Sequence, residues 1–261
     1  MNPAIALYLA GGENEGMTSA KPLLILLHGA ASTKAMWAPQ VAYLKEEADL
    51  LPVDLPAHGG RKDEPFSFEA AAAHIADEID RDGRSQVVLA GLSLAGYVAM
   101  DFASRHPNRI TGLILSGCAI DYSRGSYPLL TRLNRVAVAL YPKRILDRMN
   151  AKTIRSEYPQ WADQLIAAGF FWSGFAQALG PLTKRYFPDS LCDFSRPILV
   201  IDGEKDVRNR KEEERFLKAL RTADLVVLAG AGHICNLDDP AGFTEAIRKF
   251  LARLTTVTPV A

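Results

Sequence analysis

Short, mostly apolar runs alternate along this chain with longer stretches whose apolar residues recur at helical spacing. The runs are "LLILLHG" (Leu23–Gly29), "DLLPVDLP", "QVVLAG", "RITGLILSG", "RPILVIDGEKD" and "ADLVVLAGAGH". The first is a continuous apolar run ending in Gly, as expected of a strand buried on both faces of a sheet, and the others read as further strands, some running into a loop. Ile5–Leu9 reads as a further strand before them. Between the runs lie "STKAMWAPQVAYLKEEA", "SFEAAAAHIADEIDRDG", "SLAGYVAMDFASRHP", "NRKEEERFLKALRT" and "DPAGFTEAIRKFLARL", all of helical pattern. Ser67 is placed to cap the second and Gly83 to stop it, while Asp239 caps the last with Pro240 at its first position. In the first, Ser32 or Thr33 is the cap, and Pro39 marks a break or a late start. Strand and helix in strict alternation specify an α/β fold with a mostly parallel central sheet flanked by helices.

The alternation fails between about Ala119 and Ser195. That stretch has helical patches, "LLTRLNRVAVALY" and "WADQLIAAGFFW", and no clear strand. It holds 12 of the chain's 22 aromatic residues. The reading is a core of 1–118 and 196–261, with 119–195 inserted as a helical cap whose apolar surface covers one edge of the sheet.

At 261 residues with 48% hydrophobic content the chain can bury a large single core. Its 30 basic and 30 acidic residues cancel, so no electrostatic footprint for nucleic acid is expected. No apolar run reaches the roughly 20 residues of a membrane span. The N-terminus lacks the cationic start of a signal peptide. Cys118, Cys192 and Cys235 are odd in number and widely spaced, which suggests neither a disulfide framework nor a metal site and makes a cytoplasmic setting the expectation. Five scattered histidines give no metal-ligand spacing.

In a parallel sheet, ligands sit beyond the carboxyl ends of the strands. The polar residues placed there are His28, Asp54, Ser93, Asp121, Asp202, Asp206 and His233. A serine, an acid and a histidine thus follow three separate strands in that order. A serine hydroxyl is a poor nucleophile near neutral pH unless an imidazole takes its proton, and a carboxylate must fix that imidazole's tautomer. The developing oxyanion needs preorganised N–H donors, for which Leu94 N–H and Ala30 N–H are the candidates.

These segments resemble a known family. Strand–"GLSLAG"–helix looks like the nucleophile elbow of the α/β-hydrolase fold, and Ser…Asp…His is that fold's order. "LLHGAASTKAMW" resembles the family's oxyanion loop followed by a tryptophan, and "DLPAHGG" its D-x-P-G-H-G loop. "IDGEKD" resembles its acid loop and selects Asp206. "GAGHICNLDDPAGF" resembles its histidine segment and selects His233. Many members also carry a cap at the place of the insertion here, between the sixth and seventh core strands. Two positions depart from the pattern: Ala95 and Ala57 stand where the motifs carry Gly.

The resemblance implies a cofactor-free serine hydrolase. Its catalytic residues would be Ser93, Asp206 and His233, its oxyanion donors the Ala30 and Leu94 amides, and its substrate a small to medium carboxylic ester or lactone. Asp121 and Asp202 are rival acids, because some members place the acid after the sixth strand. His28 and His58 read as loop-shaping residues. Trp37 and the cluster Phe170, Phe171, Trp172 and Phe175 are candidate pocket residues, or else the buried face of the cap. The cap's ten Lys/Arg against six Asp/Glu fit a solvated face better than an anionic substrate. The same triad serves C–C bond hydrolysis, acyl transfer, lyase and perhydrolase chemistry, or a slow-turnover ligand receptor. Monomer and homodimer both remain open.

Overall fold

The computed structural model describes residues 21–221 and 223–256; the strand expected at Ile5–Leu9 lies outside them. Six strands form one sheet: β1 (Leu23–Leu27), β2 (Asp49–Val53), β3 (Val87–Leu92), β4 (Gly112–Ser116), β5 (Ile198–Gly203) and β6 (Ala223–Leu228). Every pairing is parallel, in the order β2-β1-β3-β4-β5-β6. All five residues of β1 are buried. Successive side chains on a strand point to opposite faces. Leu23, Ile25 and Leu27 accordingly join Val87 and Leu89 in one apolar layer, while Leu24 and Leu26 join Val88 and Ala90 in the other. This double burial explains the apolar runs of β1, β3, β4 and β5, which are buried throughout; β6, the last strand in the order, is mostly half-buried or exposed.

The helices follow the sequence closely at most of their ends. Thr33, rather than Ser32, caps the first by accepting from Ala35 N–H. A 3₁₀ turn, Lys34–Trp37, precedes helix α1 (Ala38–Leu44), so Pro39 sits near the first position and marks a late start. Helix α2 (Phe68–Asp82) is capped by Ser67 and ends at Gly83, whose φ of +79° is easy only for glycine. Helix α3 is Leu94–Arg105.

Four helices fill the insertion: α4 (Tyr127–Leu140), α5 (Lys143–Glu157), α6 (Ala162–Ala168) and α7 (Trp172–Leu182). They lie between β4 and β5. The patch expected as one helix from Trp161 to Trp172 is broken at Gly169, which adopts φ +85°. The insertion is tied to the core by backbone and side-chain bonds. Phe171 N–H donates to Ala31 O at 3.0 Å, and Phe66 N–H donates to Gln177 Oε1 at 2.8 Å. Helix α8 (Val207–Leu220), the single turn α9 (Cys235–Asp238) and α10 (Pro240–Thr256) complete the chain. Asp239 Oδ1 accepts from Gly242 N–H at the start of α10.

The strand order places β3 on the side of β1 opposite β2. The crevice between the ends of β1 and β3 is therefore the point where the winding reverses, the usual place for a ligand in an open α/β sheet. Leu27 pairs with Gly91 and Leu92 with Ser116, so the loops that begin at His28, Ser93 and Gly117 emerge side by side.

Candidate active site

Ser93 sits at the tip of the turn between β3 and α3 with φ +57° and ψ −119°. A non-glycine residue in that region stores strain, and the surroundings hold it there. Its N–H donates to Ser116 O at 2.7 Å and its carbonyl accepts from Gly96 N–H at 2.9 Å. A side chain on Gly91 would collide with the Ala95 carbonyl, and one on Gly96 with Cys118 Sγ. Gly91 and Gly96 are thus the glycines this bend requires. Ala95 lies fully buried inside the first turn of α3 and leaves the bend intact.

His233 follows β6 and reaches back to the serine. Its Nε2 lies 3.0 Å from Ser93 Oγ and its Nδ1 2.6 Å from Asp206 Oδ2. A carboxylate only accepts, so Nδ1 carries the proton in neutral imidazole and Nε2 is left to accept from the serine hydroxyl. Burial pushes the Asp206 carboxyl up, but hydrogen bonds from His233 and Asn209 outweigh it and hold the group below the usual carboxylate range. Gly117, at φ +59°, packs under the imidazole, where an added Cβ would stand 2.9 Å from His233 Cε1. The structure therefore brings Ser93, His233 and Asp206 into one hydrogen-bonded chain.

The rival acids are occupied elsewhere. Asp121 accepts from Ser123 and from Arg215 Nη1, the latter at 2.6 Å. Asp202 accepts from Gly117 N–H at 2.8 Å, and its other oxygen is buried without a partner. Burial raises its carboxyl to about 6.

The loop after β1 is organised by two neutral histidines. His28 Nδ1–H donates to Gly29 O and its Nε2 accepts from Leu55 N–H. His58 Nδ1–H donates to Pro56 O and its Nε2 accepts from Ala31 N–H. Burial holds the first down to about 3 and lowers the second, so neither charges near neutral pH. Ala57, between these loops, takes φ +65°, the left-handed path that a glycine there would follow without strain. Gly29 N–H points at Met36 Sδ and Ser32 N–H at Gly29 O. Ala30, between these occupied amides, lines the cleft beside Ser93. Leu94 opens α3, and the first amides of a helix have no acceptor within it.

A cleft of about 300 Å³ lies over Ser93 and His233. Its walls include Met36, Ile154, Tyr158, Leu165, Phe170 and Trp172. Two of the five proposed pocket residues, Phe170 and Trp172, are there; the other three are not. Trp37 is 1% exposed and packs against Phe243 in the core, because the 3₁₀ turn carries it under the sheet edge rather than toward the cleft. Phe171 turns to His58 and lines a separate surface hollow with Lys34, Asp54 and Lys62. Phe175 lies one turn further along α7 and does not reach the cleft. Helix α5 supplies Asn150, Thr153, Ile154 and Glu157 instead. Their spacing of i, i+3, i+4 and i+7 marks one helix face and was the available signal.

Sequence reasoning also missed Asn209. Its side chain is buried, donates to Asp206 Oδ2 at 2.7 Å and accepts from Ala119 N–H at 2.8 Å. Its signal was an asparagine three residues after the acid, at the opening of a helix. Cys235, close to His233 in sequence, is buried against Ser116 with its thiol pushed up to about 12, which leaves it without a reactive thiolate.

Residues 24–246 match the model of the alpha/beta hydrolase family. The chain belongs to the alpha/beta hydrolase family. It is 27% identical over 255 residues to the pimeloyl-acyl-carrier-protein methyl ester esterase of Neisseria meningitidis, covering 92% of this chain and 97% of that one. It is 25% identical over 257 residues to the biotin biosynthesis bifunctional protein of Cellvibrio japonicus. That match covers 90% of this chain and 49% of the relative, so this hydrolase spans about half of that protein's length. Among solved structures, a thermophilic esterase from Thermogutta terrifontis superposes with a TM-score of 0.76 at 24% identity, covering 92% of both chains. The family is one of hydrolases. Among the described residues no single helix is long and apolar enough to cross a membrane.

Proposed function

We propose that this α/β-hydrolase is a cofactor-free serine carboxylesterase acting on small to medium esters or lactones through an acyl-enzyme on Ser93. One observation carries the reading: the unbroken chain Ser93 Oγ–His233–Asp206, at 3.0 and 2.6 Å, beneath an apolar cleft. His233 Nε2 takes the serine proton as Oγ attacks the ester carbonyl. The carbonyl oxygen, now negative, lies against the Ala30 and Leu94 amides, each such donor being worth about 10²- to 10³-fold in rate. The tetrahedral species collapses, His233 returns the proton to the leaving alkoxide, and the acyl group stays on Oγ. Water enters, gives its proton to the same imidazole and attacks the acyl carbonyl; the second tetrahedral species collapses, the bond to Ser93 Oγ breaks, His233 returns the proton to Oγ, and the acid leaves.

The cleft lies at the small end of the range for ligand sites, roughly 300 to 1,000 Å³, which supports a short or medium acyl group. A methyl ester, as named for the Neisseria relative, belongs to this class. Release of p-nitrophenolate from p-nitrophenyl butyrate, with Ser93→Ala as the blank, tests the proposal. A linear rate over many turnovers that vanishes in the variant supports an esterase. A burst of one equivalent followed by silence, or no difference between the two proteins, contradicts it.

A further inference from the structure

The insertion's apolar residues, expected to turn inward, do not all do so. With 3.6 residues per turn, Leu129, Leu133, Val136 and Leu140 of α4 fall within a sector of about 60°. That sector lies opposite Thr131, the buried residue of the helix, and all four are exposed, Leu140 to 76%. Exposed apolar residues continue along the chain past the turn, at Tyr141 and at Ile145 and Met149 of α5, the last exposed to 62%. Eight of the eleven large apolar side chains exposed among the described residues lie between Leu129 and Met149. A concentration of exposed apolar side chains of this kind marks an interaction site.

Helix α5 has two faces. Asn150, Thr153, Ile154 and Glu157 look into the cleft. Ile145, Arg148, Met149 and Lys152 lie on the other half of the helix and are exposed. On α5 the charge follows the outer half, where Arg144, Arg148, Lys152 and Arg155 are exposed, and between Arg124 and Arg155 the chain has eight Lys/Arg and one acid, Asp147. Asp147 itself is engaged by Lys143 and by Trp172 Nε1.

We propose that this outer face of α4 and α5 docks on an anionic lipid surface. An amphipathic helix lies in a bilayer interface when an apolar face and basic residues occur together, the apolar side chains entering the acyl boundary and the cations meeting the headgroups. The charge selects the occupant. A second copy docked through the same face would bury the leucines but set two clusters of cations against each other. An anionic bilayer accepts both features. Docking there brings the cleft to within about one helix diameter, 10–12 Å, of the lipid surface, with α5 forming the partition between them.

Sedimentation of the full chain with sucrose-loaded vesicles tests this. Vesicles of phosphatidylcholine with about 30% phosphatidylglycerol should pellet the protein at least about fivefold better than pure phosphatidylcholine, since each Lys or Arg near such a surface contributes about 1 kcal/mol. Raising the salt should weaken that pelleting. Leu133→Glu with Leu140→Glu, and separately Arg144→Glu with Arg148→Glu, should abolish it while hydrolysis of a soluble ester and the circular dichroism spectrum stay unchanged. No pelleting on anionic vesicles at low salt overturns the proposal, as does pelleting that neither double variant affects. A homodimer that Leu133→Glu with Leu140→Glu dissociates, with no vesicle binding, assigns the face to a second copy and overturns it too.

Discussion

Asn209 Nδ2 lies 2.7 Å from Asp206 Oδ2, the same oxygen that receives the His233 proton donor. Asn209 also accepts from Ala119 N–H, so its amide is held from both ends and cannot rotate away. It therefore fixes the carboxylate that fixes the imidazole. A hydrogen bond to a charged group contributes about 1.5–3 kcal/mol, so Asn209→Ala should lower kcat by roughly ten- to a hundredfold with KM little changed. Steady-state kinetics on a soluble ester check this. An unchanged kcat would make Asn209 a packing residue only.

The choice of acid can be read from a pair of variants. Asp206→Asn presents an amide to His233 Nδ1 and favours the wrong tautomer, a change that costs about 10⁴-fold where it has been made in a serine triad. Asp121→Asn removes the charge that faces Arg215, which is not part of the Ser93–His233–Asp206 chain, and should keep most of the activity. Comparing kcat/KM for the two proteins decides it, and the reverse ranking would move the acid to Asp121.

Asp202 gives a pH signature in stability. Its carboxyl is raised to about 6 by burial, from an ordinary value of 3.8. Between those values the folded protein binds a proton that the unfolded chain has released. Stability contributed by this group is therefore lost as pH rises through that window. A shift of about two units corresponds to roughly 3 kcal/mol at most. Asp202→Asn removes the titration, so the variant should gain on the wild type between about pH 4 and pH 7. Urea unfolding at several pH values measures the difference, and a pH-independent gap would contradict the assignment.

Trp37 and Trp172 separate core from cleft. Trp37→Ala should cost about 3–5 kcal/mol of stability and leave acyl-chain preference as it was, because Trp37 packs on Phe243 beneath the sheet. Trp172→Ala should widen the cleft and shift preference toward longer acyl chains at a smaller cost in stability. Denaturation curves and a panel of p-nitrophenyl esters would show this, and a changed preference in the Trp37 variant would return it to the pocket.

What the sequence revealed and what it hid have one physical origin. Strands such as Leu23–Leu27 are buried on both faces, so burial is written directly as an apolar run. Ser93, Asp206 and His233 stand at the ends of such runs, where little but loop chemistry explains a polar residue. The cleft-facing side of α5 was passed over because Asn150, Thr153 and Glu157 read as an ordinary solvated face until the fold turns them toward Ser93. Trp37 misled because a tryptophan after an oxyanion-type loop resembles a pocket residue, and only the late helix start at Pro39 shows that it turns into the core. Asn209 was hidden because its role depends on Ala119, ninety residues away in sequence.

The most direct test of the account is to find where the acyl group goes. The enzyme is mixed with p-nitrophenyl butyrate, quenched in acid within the first turnover, digested and examined by mass spectrometry. The account predicts one butyryl group on the peptide that carries Ser93, formed with one equivalent of p-nitrophenolate and absent from Ser93→Ala. Full turnover with no adduct on that peptide, or a butyryl group on another residue at the same rate in Ser93→Ala, would contradict it.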